Sequence, residues 1–417
     1  MRRSLYYRAA ICNRLGKEDT LSPATYDIVT VGGGLAASAF AKSMAESGAK
    51  ILILEQESRF KDRIRGEFIS PWGVEEAKQL GILDVLCKSC ATKIRWVDMG
   101  PGPRDVVATT MQQLPALSYS HPEMQKTLLD AAEKAGAEVR RGVRVQGLEA
   151  GESPVVVAAN GGAPERISAR LVVAADGRGS LMRKLAGFAV ERDPHPFLMA
   201  GVLLSGLAVQ EDMVRIVFNP ELGMVASIMP QSGGRCRSYL GYPVTMKYRL
   251  QGNDSFDLFL SEVVRAIPMF APMYANAKSI GPLASFDADD SWAPHPYRSG
   301  VALIGDAAAT SDPSYGQGMC LALRDARVLR DHLLRSPDWT QAGHQYAAEH
   351  DSYFHNCHTA TTWFRAVFQE QSREANLRRQ KAMPLIMKDP TRVPDHLFSG
   401  PELPLNDGVR ARFFGEA

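Results

Sequence analysis

The sequence predicts an α/β fold in which a domain built on a parallel sheet is intertwined with an antiparallel β-sheet domain and followed by a helical C-terminal region. Three observations predict it. A strand, a glycine-rich turn, a helix and a second strand begin at residue 26. Two later apolar strands end in Asp-Gly or Gly-Asp pairs. Between those pairs, short apolar stretches are separated by Pro, Gly and Asn, which is typical of antiparallel strands.

Composition limits the function classes. The 417 residues are 45% hydrophobic, and 48 basic against 46 acidic side chains give a net charge of +2. The chain is therefore globular, and no electrostatic argument favours a nucleic acid. No run of eighteen apolar residues occurs, so no transmembrane segment is expected. Six widely spread cysteines suggest a reducing compartment, and we expect a cytoplasmic protein, either a monomer or a homodimer.

Two segments are predicted to lie outside the functional site. Residues 1–25 are basic at their start and lack the apolar stretch of a secretory signal. A poorly ordered extension is the simpler interpretation, and an organellar transit peptide stays open. Cys87 and Cys90 have the spacing of a redox or zinc site, but no second such pair or His pair completes it. We predict no metal site.

The glycine-rich turn is the strongest local signal. Residues 26–58 read YDIVTVGGGLAASAFAKSMAESGAKILILEQES, and the turn fits G-x-G-x-x-[GA], the pattern of a Rossmann-like dinucleotide site. Gly32 permits the tight turn, Gly34 lets the backbone approach a pyrophosphate, and Ala37 lets helix and strand pack closely. The helix N-terminus offers N–H groups to the phosphates. Glu55, which ends the second strand, is placed to accept both ribose hydroxyls, so FAD or NAD is favoured over NADP.

An arginine pair follows this unit. Arg63 and Arg65 flank one isoleucine, so in an extended segment both side chains would point the same way. Two guanidinium groups beside a pyrophosphate would supply bidentate hydrogen bonds. A solvated basic turn is the alternative interpretation.

Two later strand ends are expected to join the glycine turn. A helix over 122–135 carries Gln125 in its first turns, and a strand is predicted over 138–145. The next strand ends in Asp176-Gly177, and the strand over 301–304 ends in Gly305-Asp306. Ligands of open α/β sheets bind where the carboxyl ends of the strands meet. A dehydrogenase that binds NAD needs only the glycine turn, whereas the ribityl chain of a flavin needs polar groups further along, so these pairs favour FAD.

These residues resemble the flavoprotein monooxygenases of the para-hydroxybenzoate hydroxylase type. The resemblance covers about residues 26–335 and rests on several motifs in the right order. They are VGGGLAA, Arg63-Ile64-Arg65, Asp176-Gly177 with the following Ser180 and Arg183, and Gly305-Asp306 leading to Pro313, Gly316 and Gly318. The chain departs from the family at His121, where a basic residue often starts the mid-chain helix. The substrate-gripping residues of para-hydroxybenzoate hydroxylase have no match.

The resemblance implies roles for individual residues. Asp306 would accept hydrogen bonds from the ribityl hydroxyls, Pro313 would shape the loop beside the flavin, and Gln125 would reach the cofactor. The N–H groups from Gly316 to Met319 would face the isoalloxazine ring. The full cofactor-binding set that we predict is Gly32, Gly34, Leu35, Ala36, Ala37, Glu55, Gln56, Arg63, Arg65, Gln125, Val145, Asp176, Gly177, Asp306, Pro313, Gly316, Gly318 and Met319.

By the same resemblance, the function expected is that of an FAD-dependent monooxygenase with non-covalent FAD. It would use NAD(P)H and O₂ to oxygenate a small organic substrate, such as an aromatic compound, through a flavin C4a-hydroperoxide. We assign no catalytic residue, because the cofactor carries the chemistry. Three alternatives stay open: a reductase of the geranylgeranyl reductase type, a flavin-dependent halogenase, and a flavin-binding protein that is not an enzyme. The halogenase is weakened because no Trp-x-Trp-x-Ile-Pro segment occurs.

The predicted organisation assigns the whole chain. After the extension over 1–25, the FAD-binding domain comprises 26–192 and 281–335, the substrate-domain sheet 193–280, and the helical region and tail 336–417. In the sheet, Met229-Pro230, Tyr239 and Tyr242 either line a substrate cavity or pack in the core. In the C-terminal region, aromatic residues from Tyr346 to Phe368 form an apolar helix face, and the Pro-rich residues 389–417 are expected to form a surface tail.

Overall fold

The computed structural model of the protein describes residues 26–64, 66–193 and 197–416. The N-terminal extension and Arg65 lie outside these residues. The strands of the described residues are β1 Tyr26–Val31, β2 Ile51–Glu55, β3 Phe68–Ile69, β4 Ala91–Ile94, β5 Trp96–Asp98, β6 Pro103–Asp105, β7 Ala116–Tyr119, β8 Glu138–Arg141, β9 Arg144–Glu149, β10 Val155–Ala159, β11 Glu165–Ala174, β12 Glu191–Arg192, β13 Phe197–Ser205, β14 Met213–Asn219, β15 Met224–Gln231, β16 Arg235–Pro243, β17 Lys278–Ser279, β18 Ala284–Asp287, β19 Ser291–Trp292, β20 Tyr297–Arg298, β21 Val301–Leu303 and β22 Ala309–Thr310.

The α-helices account for most of the remaining regular structure. In the described part of the chain they are α1 Leu35–Glu46, α2 Pro71–Gln79, α3 Leu83–Ser89, α4 Val106–Thr109, α5 His121–Lys134, α6 Leu181–Leu185, α7 Phe256–Ala266, α8 Ala271–Tyr274, α9 Gly318–Arg335, α10 Trp339–Phe368, α11 Arg373–Lys388, α12 His396–Ser399 and α13 Asp407–Phe414. Within the described ranges, none of these helices is both long and apolar enough to cross a membrane. The fold is thus α/β, as the sequence predicts.

The main sheet brings together strands that are distant in the chain. Its order is β20-β21-β11-β1-β2-β8, and β21, β11, β1, β2 and β8 run parallel. Helix α1 packs between α5 and α9 on this sheet, which explains why β1 and β2 are almost continuously apolar. Val31 pairs with Ala174, and Ala174 pairs with Leu303. The three strands therefore end side by side, and the loops that follow them converge.

One predicted strand is wrong in its length. The sequence suggested a single strand over 138–145, but the structure has β8 and β9 with a turn between them. Gly142 lies in this turn with a φ of 72°, a left-handed conformation that glycine adopts without steric cost. The turn takes the chain off the parallel sheet and into an antiparallel pair with β10. Val145 accordingly lies at the start of β9.

The second large sheet is mainly antiparallel and has two different faces. Its order is β17-β13-β16-β15-β14-β5-β6, and β18 also pairs with β13. Strands from outside residues 193–280, namely β5, β6 and β18, therefore belong to it. One face packs with α7 in an apolar cluster that includes Leu240 and Phe259. Alternate residues of the same strands, such as Met229 and Tyr239, face the opposite way and line a cavity.

The expectation of a surface tail at the C-terminus is wrong. Phe398, Phe413 and Phe414 are each at most 5% exposed and belong to one apolar cluster with Phe364 of α10. The ring centroids of Phe364 and Phe413 lie 5.7 Å apart in an edge-on arrangement. The Pro-rich composition suggested exposure, but the aromatic face of α10 offers these side chains a surface on which burial is favourable.

Candidate functional site

A cavity of about 720 Å³ lies where the strands of the parallel sheet end. It continues from the glycine turn to the face of the antiparallel sheet that lies opposite α7, and its volume is in the range of cofactor and ligand sites. The predicted cofactor-binding residues that line it are Gly32, Gly34, Leu35, Ala36, Glu55, Gln56, Arg63, Gln125, Val145, Asp176, Gly177, Asp306, Pro313, Gly316, Gly318 and Met319. Ala37 does not line it. It is fully buried, as its packing role requires.

The glycine turn has the geometry of a phosphate cradle. Gly32 has a φ of 101°, and a Cβ atom there would lie 2.4 Å from the carbonyl oxygen of Ala175. Gly34 has extended backbone and immediately precedes α1, which begins at Leu35. No side chain in the described part of the chain caps the first N–H groups of α1, and Gly34, Leu35 and Ala36 at this positive end of the helix line the cavity. This is the usual arrangement for binding an anionic phosphate.

Glu55 is fixed beside this turn. One carboxylate oxygen accepts a hydrogen bond from the Gly33 N–H at 2.7 Å, and the other accepts one from the Glu57 N–H at 2.7 Å. The side chain is buried at the end of β2. Each carboxylate oxygen can accept a further hydrogen bond, so the group is oriented and retains capacity for two ribose hydroxyls.

The prediction that the side chains of Arg63 and Arg65 point the same way assumed an extended segment, and this assumption is wrong. Ile64 has a φ of 52°, which is left-handed, so the segment is not extended at this residue as the prediction assumed. Arg63 lines the cavity and forms an ion pair with Glu57, and its side chain is half exposed. Arg65 lies outside the described residues.

The mid-chain pair Asp176-Gly177 is tied to the late strand end. The Asp176 carboxylate accepts hydrogen bonds from Ser180 Oγ at 2.5 Å and from the Leu181 N–H at 2.7 Å, at the start of α6. Arg183 is buried, and its guanidinium donates to the carbonyl oxygen of Ala307 at 3.0 Å. Arg183 thus connects the two loops, and Ser180 orders the first of them, which gives a structural reason for these motif residues.

Asp325 supports the late strand end and was missed by the sequence analysis. Gly305 is left-handed with a φ of 61°, and its N–H donates to Asp325 Oδ2 at 2.7 Å. The Tyr353 hydroxyl donates to the other oxygen at 2.6 Å. Burial raises the pKa of Asp325, opposed by His350 nearby. The sequence did contain a signal for this role, because Asp325 is an acidic residue among the apolar positions of α9. Asp306, beside Gly305, lines the cavity.

The loop before α9 is held by side chains from distant segments. Gln317 donates to the carbonyl oxygens of Tyr315 at 2.8 Å and Leu397 at 3.2 Å, and accepts from Trp72 Nε1 at 3.2 Å. Gly316 has a φ of 63°. The loop that carries Pro313, Gly316 and Gly318 is therefore held in place by contacts within the protein.

An ionic cluster lies behind this loop. Among the described residues, Asp193, Asp290 and His358 have potential ligand atoms within 4.8 Å of one another. The Arg365 guanidinium donates to Asp193 at 2.9 Å and to Asp290 at 2.8 Å, which already compensates the carboxylates. Burial raises the pKa of the neighbouring Asp312 to about 6, and Arg365 opposes this. The arrangement fits a structural network.

The sheet end of the cavity is mostly apolar. Its lining residues from the antiparallel sheet are Met199, Ile216, Val225, Ser227, Met229, Tyr239 and Phe286. Of the four residues left open by the sequence, Met229 and Tyr239 line the cavity, whereas Pro230 is buried and does not line it. Tyr242 is buried on the opposite face, where its hydroxyl accepts a hydrogen bond from the Leu250 N–H at 3.1 Å. A small organic molecule could occupy this end of the cavity.

Glu67 is the ionisable group of the sheet end. It is completely buried and lines the cavity. Arg237 Nε donates to Glu67 Oε1 at 3.0 Å, and the Tyr239 hydroxyl donates to Oε2. Arg237 also contacts both oxygens of Asp62 at 2.7 Å. Burial raises the pKa of Glu67 to about 7, and Arg237 and Tyr239 oppose this. The sequence analysis did not identify Glu67, although an acidic residue within the apolar stretch GEFISPW could have indicated a buried ionisable group.

Glu67→Gln should flatten the pH dependence of stability. Folded Glu67 keeps its proton up to about pH 7, whereas the unfolded residue loses it near its ordinary pKa of about 4.5. The free energy of unfolding of the natural protein should therefore fall as pH rises through this window. Denaturant unfolding at several pH values should show a smaller fall for the variant. Because burial also raises the pKa of Asp312, to about 6, the free energy of unfolding of both proteins should still fall somewhat as pH rises.

The control for this prediction is Glu152→Gln. Glu152 is exposed in a surface bend, so its replacement should leave the slope unchanged. Equal slopes for Glu67→Gln and the natural protein would contradict the shifted pKa of Glu67.

The fold and the cavity define a dinucleotide-binding α/β protein whose site is assembled from three strand ends. The family described as FAD binding domain matches residues 25–363, and the chain belongs to this family. It is 26% identical over 319 residues to 6-methylpretetramide 4-monooxygenase of Streptomyces rimosus, covering 72% of this chain and 73% of that protein. It is 27% identical to digeranylgeranylglycerophospholipid reductase 2 of Methanopyrus kandleri, covering 73% of this chain and 75% of that protein.

Solved structures share the fold. The p-nitrophenol 4-monooxygenase PnpA of Pseudomonas putida DLL-E4 aligns with a TM-score of 0.74, covering 90% of this chain and 97% of that protein. The sequence identity is 18%, so this likeness concerns the fold alone.

The Cys87→Ser/Cys90→Ser double variant should keep its full FAD content. Both thiols are free, and neither lines the cavity. Burial raises the pKa of Cys90 to about 11, which disfavours the thiolate that binds metals or exchanges disulfides. Flavin absorbance and metal analysis of the purified proteins provide the measurement. Stoichiometric zinc that is lost in the variant would show that the pair is a metal site.

Proposed function

We propose that the protein is an FAD-dependent monooxygenase that acts on a small organic substrate. The convergence of three strand ends on a cavity that continues to the antiparallel sheet carries this proposal. The glycine turn and Glu55 suit the adenosine diphosphate half of FAD, and the later loops suit the rest of the molecule. The sheet end then supplies an apolar space for a substrate beside the cofactor.

The chemistry of the residues that line the cavity suits FAD. The N-terminus of α1 would bind the pyrophosphate, Glu55 the adenosine ribose, and Asp306 the ribityl hydroxyls. Gly316 and Gly318 would leave room for the flat ring, since neither carries a side chain. The chemistry that bound FAD supplies is redox: electrons taken from NAD(P)H and activation of O₂. The protein orients the substrate and excludes water, and no described residue is assigned as a base.

The competing function is a reductase that saturates double bonds, supported by the similarity to the digeranylgeranylglycerophospholipid reductase. The full set of hydroxylase-type motifs, including Ser180 and Arg183 after Asp176-Gly177, favours the monooxygenase.

The low density of cysteines supports a cytoplasmic location.

The decisive experiment measures whether oxygen is required. The FAD-loaded protein is incubated with NADPH and a panel of phenols and polyprenoids, with ¹⁸O₂ and under anaerobic conditions. A monooxygenase forms product only with oxygen, and that product carries one labelled atom. A saturated, unlabelled product under anaerobic conditions would establish the reductase. Bound FAD with no NADPH oxidation under any condition would indicate a flavin-binding protein that is not an enzyme.

A further inference from the structure

We propose that Tyr239, oriented by Glu67, selects an apolar substrate that presents one hydrogen-bond donor, such as a hydroxyl group, and that the site rejects carboxylates. This inference rests on the proposed function, because it concerns the substrate end of the same cavity. It goes beyond that function in naming the chemical class of the substrate and the residue that recognises it.

The orientation of the Tyr239 hydroxyl follows from its partners. A phenolic hydroxyl has one proton, and when Glu67 is ionised Tyr239 donates it to Glu67 Oε2. The oxygen of Tyr239 is then left only with acceptor capacity. Glu67 cannot turn away, because Arg237 Nε holds its other oxygen at 3.0 Å. Arg237 is held in turn by Asp62. A ligand in the cavity therefore meets an acceptor at Tyr239.

The position of the Tyr239 ring is also fixed by the backbone opposite. Tyr239 pairs with Gly201 across β13 and β16. A Cβ atom at Gly201 would lie 2.5 Å from the Tyr239 ring and 2.4 Å from the Ile64 side chain. The missing side chain thus makes room for the ring to lie against the neighbouring strand. The recognition group is preorganised, which reduces the entropy lost on binding.

The charge around this end of the cavity excludes acidic ligands. None of the described lining residues from the antiparallel sheet is Lys or Arg. With Glu67 ionised, the cluster of Glu67, Asp62 and Arg237 carries a net negative charge. The basic lining residues Lys61, Arg63, Arg144 and Arg178 come from other segments. A ligand carboxylate held against the sheet would lose its hydration without a cationic partner among the sheet residues, which is strongly unfavourable. An aromatic carboxylate is therefore a poor fit, whereas a neutral hydroxyl compound fits.

Binding of matched ligands tests the inference without any turnover. 1-Naphthol, 1-methoxynaphthalene and 1-naphthoate have the same ring and differ in the group presented. They are titrated into the oxidised, FAD-loaded protein at about pH 8, above the pKa of about 7 of Glu67, and the flavin absorbance is followed. We expect 1-naphthol to bind about tenfold more tightly than the other two. Equal binding of the naphthol and the methyl ether, or tighter binding of the carboxylate, would overturn the inference.

Two variants identify the recognising residue. Tyr239→Phe keeps the ring and should remove the preference for 1-naphthol over 1-methoxynaphthalene. Ser227→Ala removes the other hydroxyl of the sheet lining and should leave the preference intact. Loss of preference in Ser227→Ala alone would reassign recognition to that residue. If Tyr239→Phe fails to bind FAD, the ligand series on the natural protein still decides the substrate class. Failure of the natural protein to bind FAD would instead refute the proposed function.

Discussion

Gly32→Ala should weaken FAD binding by at least about tenfold. The φ of 101° at this position is strained for any residue with a side chain, which costs about 1–3 kcal/mol. The new Cβ would also lie 2.4 Å from the Ala175 carbonyl oxygen, and that atom belongs to the neighbouring strand end and cannot move alone. Because the turn must shift, we expect FAD affinity to fall by at least about tenfold. Titration of the apoprotein with FAD, followed by flavin fluorescence, measures this.

The matched control is Gly151→Ala. Gly151 lies in a surface bend, and a Cβ atom there would meet nothing within 4 Å. The control should bind FAD as the natural protein does and unfold at the same temperature. Normal FAD affinity in Gly32→Ala would show that the turn does not hold the phosphates in the way we propose.

Asp306→Ala should weaken FAD binding by about 1.5–3 kcal/mol, the range for hydrogen bonds to a charged group. The residue lines the cavity directly after β21, where a carboxylate would accept ribityl hydroxyls. The strand before it is fully buried and apolar, so the variant should still fold. FAD titration and thermal unfolding of the apoprotein are the two measurements.

Asp325→Ala provides the contrast for this prediction. Asp325 accepts the Gly305 N–H and the Tyr353 hydroxyl inside the core, so its loss should lower the stability of the apoprotein itself. If Asp306→Ala destabilised the apoprotein as much and left FAD affinity unchanged, Asp306 would have a structural role rather than a ribityl-binding one.

The sequence predicted the parts of the site that local patterns encode. The glycine turn, Glu55 and the two strand-end pairs follow from spacing within short segments, and the structure places all of them at one cavity. The side-chain partners of Asp325, Gln317 and Glu67 could not be found in this way, because they lie far away in the chain. Gln317, for example, contacts Trp72 and Leu397. The prediction of an exposed C-terminal tail was wrong for the same reason, because Phe413 is buried against the aromatic face of α10, which is distant in the chain.

The strand order of the parallel sheet has a consequence for how the chain folds during synthesis. Strand β11 pairs on one side with β1 and on the other with β21, which is made about 130 residues later. Until β21 leaves the ribosome, β11 is an open edge that can pair with another chain. Helix α9, which covers α1, arrives later still. The nascent protein therefore passes through a long aggregation-prone interval, and chaperone assistance during translation should increase its yield.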